Sequence, residues 1–357
     1  MTYSGKRPIG ASRRKFLTAA GGAVGISVAT AGCTDFGDDT ITWQANSPAA
    51  EGSVHGDAAA WIGEIVEEET DGEMEIDAFR NSELGGQIES TENVSTGGLD
   101  MYVIPYALTG TQYAPAQVFD APYMYDPDEP YEHIHEVTDP LESDVASDVA
   151  EELIEETDIR PIGSVVQGTR RVTITGDPVY SPDGLGSKEL RAVPIPIYEE
   201  TTVGLGAETT EIDFEEVPQA LQTGEVDGQE NPYNVIISSG IHEHTDYVLE
   251  TDHMHTPLAI IVNEDNWQDL DETFQDVLYD ATEEIRSDAL DLIEENIEEH
   301  RASVRDEGAE IIEPDELEMD EFRTEVRQHI RDVFEDDDDV GDNFIDRIEE
   351  IAYEDYQ

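Results

Sequence analysis

The chain has 357 residues, with 86 Asp plus Glu against 18 Lys plus Arg, a formal net charge of -68 and 38% hydrophobic residues. That length can bury two cores, while the sign of the charge makes nucleic acid a poor partner, because phosphate binding needs basic patches. A single cysteine excludes an internal disulfide framework, and acids interleaved with aliphatic residues at regular periods argue for a folded chain despite its self-repulsion.

Residues 1–32 contain no acid and carry Lys6, Arg7, Arg13, Arg14 and Lys15, followed by a short apolar run rich in Gly, Ala and Thr from Phe16 to Gly32. This reads as a removable signal rather than a membrane span. Ser12-Arg13-Arg14-Lys15-Phe16-Leu17 resembles the twin-arginine export signal, and Thr30-Ala31-Gly32-Cys33 resembles a lipobox, in which Cys33 becomes the lipid-bearing first residue. The other reading of Cys33 is a buried free thiol. Loss of residues 1–32 removes five cations and no acid, taking the formal charge from -68 to -73. The only other lysine is Lys188. Scarce lysine and excess acid together fit a surface adapted to molar salt, where the Debye length is about 3 Å.

Residues 33–39 form a polar tether. A strand is expected over Ile41–Ala45, a helix from about Gly56 to Glu69 with Ala59, Ile62, Ile65 and Val66 on its apolar face, and a half-exposed strand through Met74, Ile76 and Ala78. Leu84-Gly85-Gly86 turns the chain into a second helix that ends near Gly97-Gly98, and Leu99–Pro105 reads as a buried strand. Alternation of strand and helix predicts a mostly parallel sheet covered by helices. Phe119-Asp120-Ala121-Pro122-Tyr123 breaks regular structure, a helical pattern covers His133–Glu155, and Ile159–Val166 is another strand. In Gly168-Thr169-Arg170-Arg171 an extended backbone would send the two arginines to opposite faces, so only one can address a given cleft. Arg171 also reads as a partner for the many surface acids.

Between Leu190 and Asn234, Arg191 lies in an apolar strand, and Asp227-Gly228-Gln229-Glu230-Asn231-Pro232 reads as a polar turn offering amide groups. A cation and an amide brought to one cleft suit a carboxylate, since guanidinium gives two parallel hydrogen bonds and stays charged. His253-Met254-His255 places two imidazoles at the spacing of one strand face, either half of a metal site or two structural histidines; without a visible further ligand no metal is assigned. His242 and His244 are read in the same way. Pro257–Asn263 is an apolar strand, Trp267 begins a turn, and a long helix runs from Glu272 to about Arg305. Two more helices are expected, at about Glu316–Phe334 and Asp342–Tyr353, separated by the acidic run Asp336–Asp339, which lacks the spacing of a calcium loop.

Gly168-Thr169-Arg170, Leu190-Arg191, Phe214-Glu215-Glu216-Val217 and the run Ala220–Pro232 resemble the solute-binding subunit of tripartite ATP-independent periplasmic (TRAP) transporters, the DctP-like family. Leu84-Gly85-Gly86, Gly98-Leu99-Asp100 and Phe119–Tyr123 fit the same family's N-terminal half. The resemblance implies an α/β, two-domain periplasmic-binding-protein-like fold with a central cleft and a long helix spanning both domains. Domain I is then expected at 40–167 and 257–296, and domain II at 168–256 and 297–357. It further implies that Arg191 holds the carboxylate of an organic acid, with Arg170 and Asn231 adding polar contacts. The family usually has Arg-Val-Pro where this chain has Arg191-Ala192-Val193-Pro194, a shift that bears on how Pro194–Tyr198 line the pocket.

The function so implied is capture of an organic acid at the extracytoplasmic face and delivery to the small and large TRAP membrane subunits, driven by an ion gradient and with no cofactor. A sensory binding lipoprotein is an alternative. An enzyme is disfavoured, since there is no G-x-S-x-G elbow, P-loop or H-E-x-x-H motif.

Overall fold

The computed structural model describes residues 40–357 apart from 128, 336, 338, 339, 342, 355 and 357. The export signal, the lipobox at Cys33, the tether and most of the acidic run 336–339 lie outside the described residues.

The first half of the chain is built from strand β1 (Ile41–Asn46), helix α1 (Val54–Glu69), β2 (Met74–Ala78), α2 (Gln87–Ser95) and β3 (Met101–Pro105). The Ser53 hydroxyl caps α1 by accepting from the Gly56 amide at 3.1 Å, and Ala58, Ala59, Ile62 and Val66 face the sheet with almost no exposure. After β3 the chain makes two 3-10 turns, Tyr106–Thr111 and Ala114–Asp120. The helical stretch expected over 133–155 is two helices, α3 (Pro130–Thr138) and α4 (Asp144–Thr157). Pro140 lies in the break between them, and the Ser143 side chain caps α4.

The remaining elements are β4 (Ile159–Ile174), α5 (Pro182–Leu185), β5 (Glu189–Ala192), α6 (Pro196–Gly204), β6 (Glu208–Glu211), α7 (Val217–Thr223), β7 (Gly228–Pro232), α8 (Tyr233–Ser238), β8 (Tyr247–Asn263), α9 (Glu264–Gln268), α10 (Glu272–Asp306), β9 (Glu310–Ile312), α11 (Met319–Phe334) and α12 (Phe344–Ile351). Two sequence expectations change here. Within the polar segment 227–232, Gly228–Pro232 is a fully buried strand rather than a turn, because its backbone pairs with β4 from Arg170↔Pro232 to Ile174↔Gly228. The sheet is also less parallel than expected. Its order is β2-β1-β3-β8-β4-β7-β5-β6 with β9 beside β8, and although β1-β2, β1-β3, β5-β6, β5-β7 and β8-β9 are parallel, the β3-β8, β4-β8 and β4-β7 pairs are antiparallel.

Strands β4 and β8, 16 and 17 residues long, join the two halves of the sheet. The short segments expected at 159–166 and 257–263 are parts of these longer strands. Their ladder bends at three register shifts, and at the last of them Arg170 faces Met254 while Val172 faces Leu249, so Glu250–His253 bulge opposite Arg171 alone. The 35-residue helix α10 packs on α1 and β4 at one end and on α8 and β9 at the other, the arrangement expected of a helix shared by both halves. Helix α11 packs on α6, whereas α12 returns to α4 and the 3-10 turn 114–120.

Gly228 carries a conformational requirement that positions the site. A Cβ there would come within 2.1 Å of the Thr173 carbonyl oxygen and 2.7 Å of Leu190. Gly228→Ala is therefore expected to push β7 off β4 and to destabilise the protein by about 2 kcal/mol or more in denaturant titrations in molar salt, well above the usual effect of one methyl group. An unchanged midpoint would contradict this packing.

Candidate functional site

A small pocket, with about 20 Å³ of free space, lies between the two halves of the sheet. His55 from α1, Gln87 at the start of α2, Pro105 and Leu108 line it from the first half. Gln167 and Arg170 from β4, Arg191 from β5, Val193, Tyr198 from α6, Phe214, Asn231 from β7 and Val235 from α8 line it from the second. The three residues expected from the sequence, Arg191, Arg170 and Asn231, therefore meet in one cavity. Ser82 donates to the Glu215 carboxylate across the mouth, and the Ile197 amide donates to Gln117 Oε1 at 3.0 Å.

Arg191 is 1% exposed. Its Nε donates to the Ile212 carbonyl at 2.7 Å, which fixes the plane of the guanidinium, while its buried Nη2 has no partner among the described residues. Burial lowers its pKa to about 10, with the nearby Glu230 acting in the opposite direction, so the side chain still carries its charge at neutral pH. An unpartnered buried donor on a cation is costly to leave unmade, and Nη2 is therefore free to donate to an anion.

Arg170 is differently placed. Its Nε and Nη2 bond both carboxylate oxygens of Glu230, and Nη2 also reaches the Glu230 carbonyl at 2.8 Å. Its guanidinium carbon lies 4.9 Å from the centre of the Tyr198 ring. Burial alone would raise the Glu230 pKa, but Arg170 and the bond with His253 hold it down at about 2. The charge of Arg170 is thus paired within the protein, whereas Arg191 makes no ion pair among the described residues and feels only the more distant Glu230, Asp213 and Glu215. Arg171 points elsewhere, as the alternation of a strand requires: it stacks on Tyr233 at 4.7 Å and pairs with Asp252 at 3.0 Å.

The Asn231 amide nitrogen donates to Gln229 Oε1 at 2.5 Å, and Gln229 in turn donates to the Thr173 hydroxyl at 2.9 Å. His55 Nε2 donates to the Val103 carbonyl at 3.0 Å, so Nδ1 is the acceptor for Gln167 Nε2 at 3.1 Å. Burial lowers His55 to about 4 and keeps it neutral. Gln167 Oε1 is then a buried acceptor without a partner among the described residues, suited to a ligand hydroxyl. Tyr198 donates to Asp120 at 2.6 Å, and burial raises Asp120 to about 7.

His253 and His255 engage separate neighbours. His253 bonds Thr251 and Glu230, whereas His255 bonds Thr169 at 2.8 Å. Among the described residues no group of three or more His, Cys, Asp or Glu could hold a metal. Ala192 is buried in β5 and Val193 faces the pocket, so the Ala192 departure leaves Arg191 in the cavity and sets Val193 and Tyr198 in its wall. Sequence reasoning missed His55, Gln87 and Gln167. Gln167 adjoins the Gly168-Thr169-Arg170 motif, but nothing in the local pattern around His55 or Gln87 distinguishes them.

The model of the bacterial extracellular solute-binding protein family 7 matches residues 45–337. The chain belongs to this family of TRAP solute-binding proteins. A solute-binding protein of Roseobacter denitrificans is 29% identical over 259 residues, covering 72% of this chain and 77% of that protein. The 2,3-diketo-L-gulonate-binding periplasmic protein of Escherichia coli is 24% identical over 294 residues, 82% of this chain and 87% of its own. In structure, a TRAP periplasmic solute-binding protein from Roseobacter denitrificans with bound L-galactonate superposes with a TM-score of 0.78 at 25% identity, covering 88% of this chain and 99% of that one. Family 7 is made up of extracytoplasmic solute-binding proteins. No helix among the described residues is long and apolar enough to cross a membrane.

Proposed function

We propose that this TRAP solute-binding protein captures a small organic acid bearing one carboxylate and delivers it to the small and large TRAP membrane subunits. The observation that carries the reading is the unpartnered, buried Nη2 of Arg191 beside an Arg170 already neutralised by Glu230. One positive charge without an ion pair among the described residues calls for one negative charge. Arg191 is desolvated on folding, so an arriving carboxylate bears mainly its own desolvation cost against an attraction of about 4 kcal/mol at 4 Å and an effective dielectric near 20. Micromolar affinity corresponds to about -8 kcal/mol. The apolar walls of Leu108, Val193, Phe214 and Val235, the Gln167 acceptor, Asn231 and lobe closure supply the rest. Relatives with bound L-galactonate or named for 2,3-diketo-L-gulonate support a hydroxylated acid.

In this reading the lobes are 40–167 with 257–296, and 168–256 with 297–357, with α12 reaching back to the first. The chain is exported by the twin-arginine route and held outside the membrane by lipid on Cys33, with a surface suited to high salt that mutes repulsion of an anionic ligand. A thermal-shift screen of mono- and dicarboxylates in molar salt tests the binding function, since a ligand of the folded state raises the melting temperature. The largest shifts are expected from monocarboxylates; a set of hits made only of dicarboxylates or neutral solutes would overturn the reading. The anchor has its own test. Cys33→Ala is expected to move the protein from the membrane fraction to the medium, and a variant that stays membrane-bound rules out lipidation at this residue.

A further inference from the structure

A second pocket, of about 300 Å³, opens beside the bulge of β8 and shares no lining residue with the first. Arg323 and Arg327 stand one turn apart on α11 and therefore on one face of it. Arg323 lies over the Tyr123 ring, 5.7 Å from its centre, and has no ion-pair partner among the described residues, in a chain where acids outnumber bases almost fivefold. Arg327 is 8% exposed; its Nη2 donates to the Tyr123 carbonyl, and its buried Nε has no partner among the described residues. Tyr123, Tyr125, Tyr353 and Met319 supply aromatic and apolar walls.

Among the described residues, the acids lining this pocket are Asp252 and Glu354. Asp252 is occupied by Arg171 at 3.0 Å, so two guanidinium charges stand against the single carboxylate of Glu354. The walls also hold two residues in unusual backbone conformations. Tyr123 has φ 53°, held there by its amide bond to the His253 carbonyl at 2.8 Å and its hydroxyl bond to Thr251 at 3.0 Å, and Asp252 has φ 42°. Backbone held in the left-handed region by a non-glycine residue marks a site that its surroundings over-determine.

We propose that this pocket is a second binding site, for an aromatic monocarboxylate, with the carboxylate between Arg323 and Arg327 and the ring against the tyrosines. With Asp252 paired to Arg171, the described residues lining the pocket leave one positive charge, which matches one carboxylate. Guanidinium over tyrosine also leaves an apolar face for a flat ring that an aliphatic polyhydroxy acid would not fill.

The test is calorimetric titration of benzoate into the full-length protein carrying Arg191→Ala, so that the first pocket cannot contribute and failure of one site is distinguishable from failure of the other. Saturable binding of one benzoate per chain is expected, weakened about tenfold or more by adding Arg323→Gln, which removes a half-buried charge with no acid partner among the described residues and leaves the melting temperature unchanged. Adding Arg323→Lys instead retains part of the affinity, which separates loss of charge from loss of fold. Absence of saturable benzoate binding in Arg191→Ala, or equal affinity with and without Arg323→Gln, overturns the proposal.

Discussion

Replacing Arg191 by alanine is expected to weaken carboxylate binding by about a hundredfold or more, because truncating one member of a desolvated, hydrogen-bonded charge pair costs about 2–5 kcal/mol. The apo fold should tolerate the change. Arg191 gives one bond to the Ile212 carbonyl, and its removal also takes away a buried charge with an unpartnered Nη2, two effects of opposite sign. Arg191→Lys keeps the charge but replaces the planar fork with a point charge on a flexible stem, so it too should bind poorly. The pH profile follows from the same environment. Burial lowers Arg191 to about 10 and a bound carboxylate raises it again, so affinity is level through neutral pH and falls once the free guanidinium begins to deprotonate above about pH 10. Titration of a ligand found by thermal shift, against both variants, checks this.

Glu230→Gln should act on the fold rather than directly on the ligand. It leaves the 2%-exposed Arg170 without its carboxylate, and removing one partner of a buried pair costs about 3–5 kcal/mol. The folded pKa of Glu230 is lowered to about 2 from an ordinary 4.5, so its stabilising contribution is complete above about pH 4.5 and is lost as the pH falls through 2. Urea unfolding in molar salt at pH 7 measures the difference between wild type and variant. A loss under about 1 kcal/mol would mean that the pair is not what positions Arg170. Replacing both residues by apolar ones of similar size, Arg170→Met with Glu230→Leu, should recover part of the stability, since the desolvation of both charges disappears together.

The sequence pattern located helices well where an apolar face repeated at 3.6 residues, as in α1 and α10. It erred where backbone pairing overrode local composition. Gln229, Glu230 and Asn231 resemble turn residues by type, yet they form a buried strand because β4 offers a full ladder on one side and their side chains are satisfied by Thr173, Arg170 and each other. Strands β4 and β8 run beyond the segments that the periodicity marks because Gly163 and Gly168 of β4 and the bulges of the ladder interrupt the alternation without ending the pairing. At the site, Arg191, Arg170 and Asn231 were legible through scarce cations and the family motif. That Arg170 is already spoken for by Glu230 was not, since in a chain with 86 acids the proximity of one more carboxylate carries no signal. His55 and Gln167 come together only through the packing of α1 on the sheet, a contact between residues more than a hundred positions apart.

The most direct measurement is a crystal structure of the protein with a monocarboxylate selected by thermal shift. The expected complex has one carboxylate oxygen about 2.8 Å from Arg191 Nη2, with the Arg170–Glu230 pair unbroken and a ligand hydroxyl on Gln167 Oε1. A carboxylate that leaves Arg191 Nη2 without a partner, or that displaces Glu230 from Arg170, would contradict it.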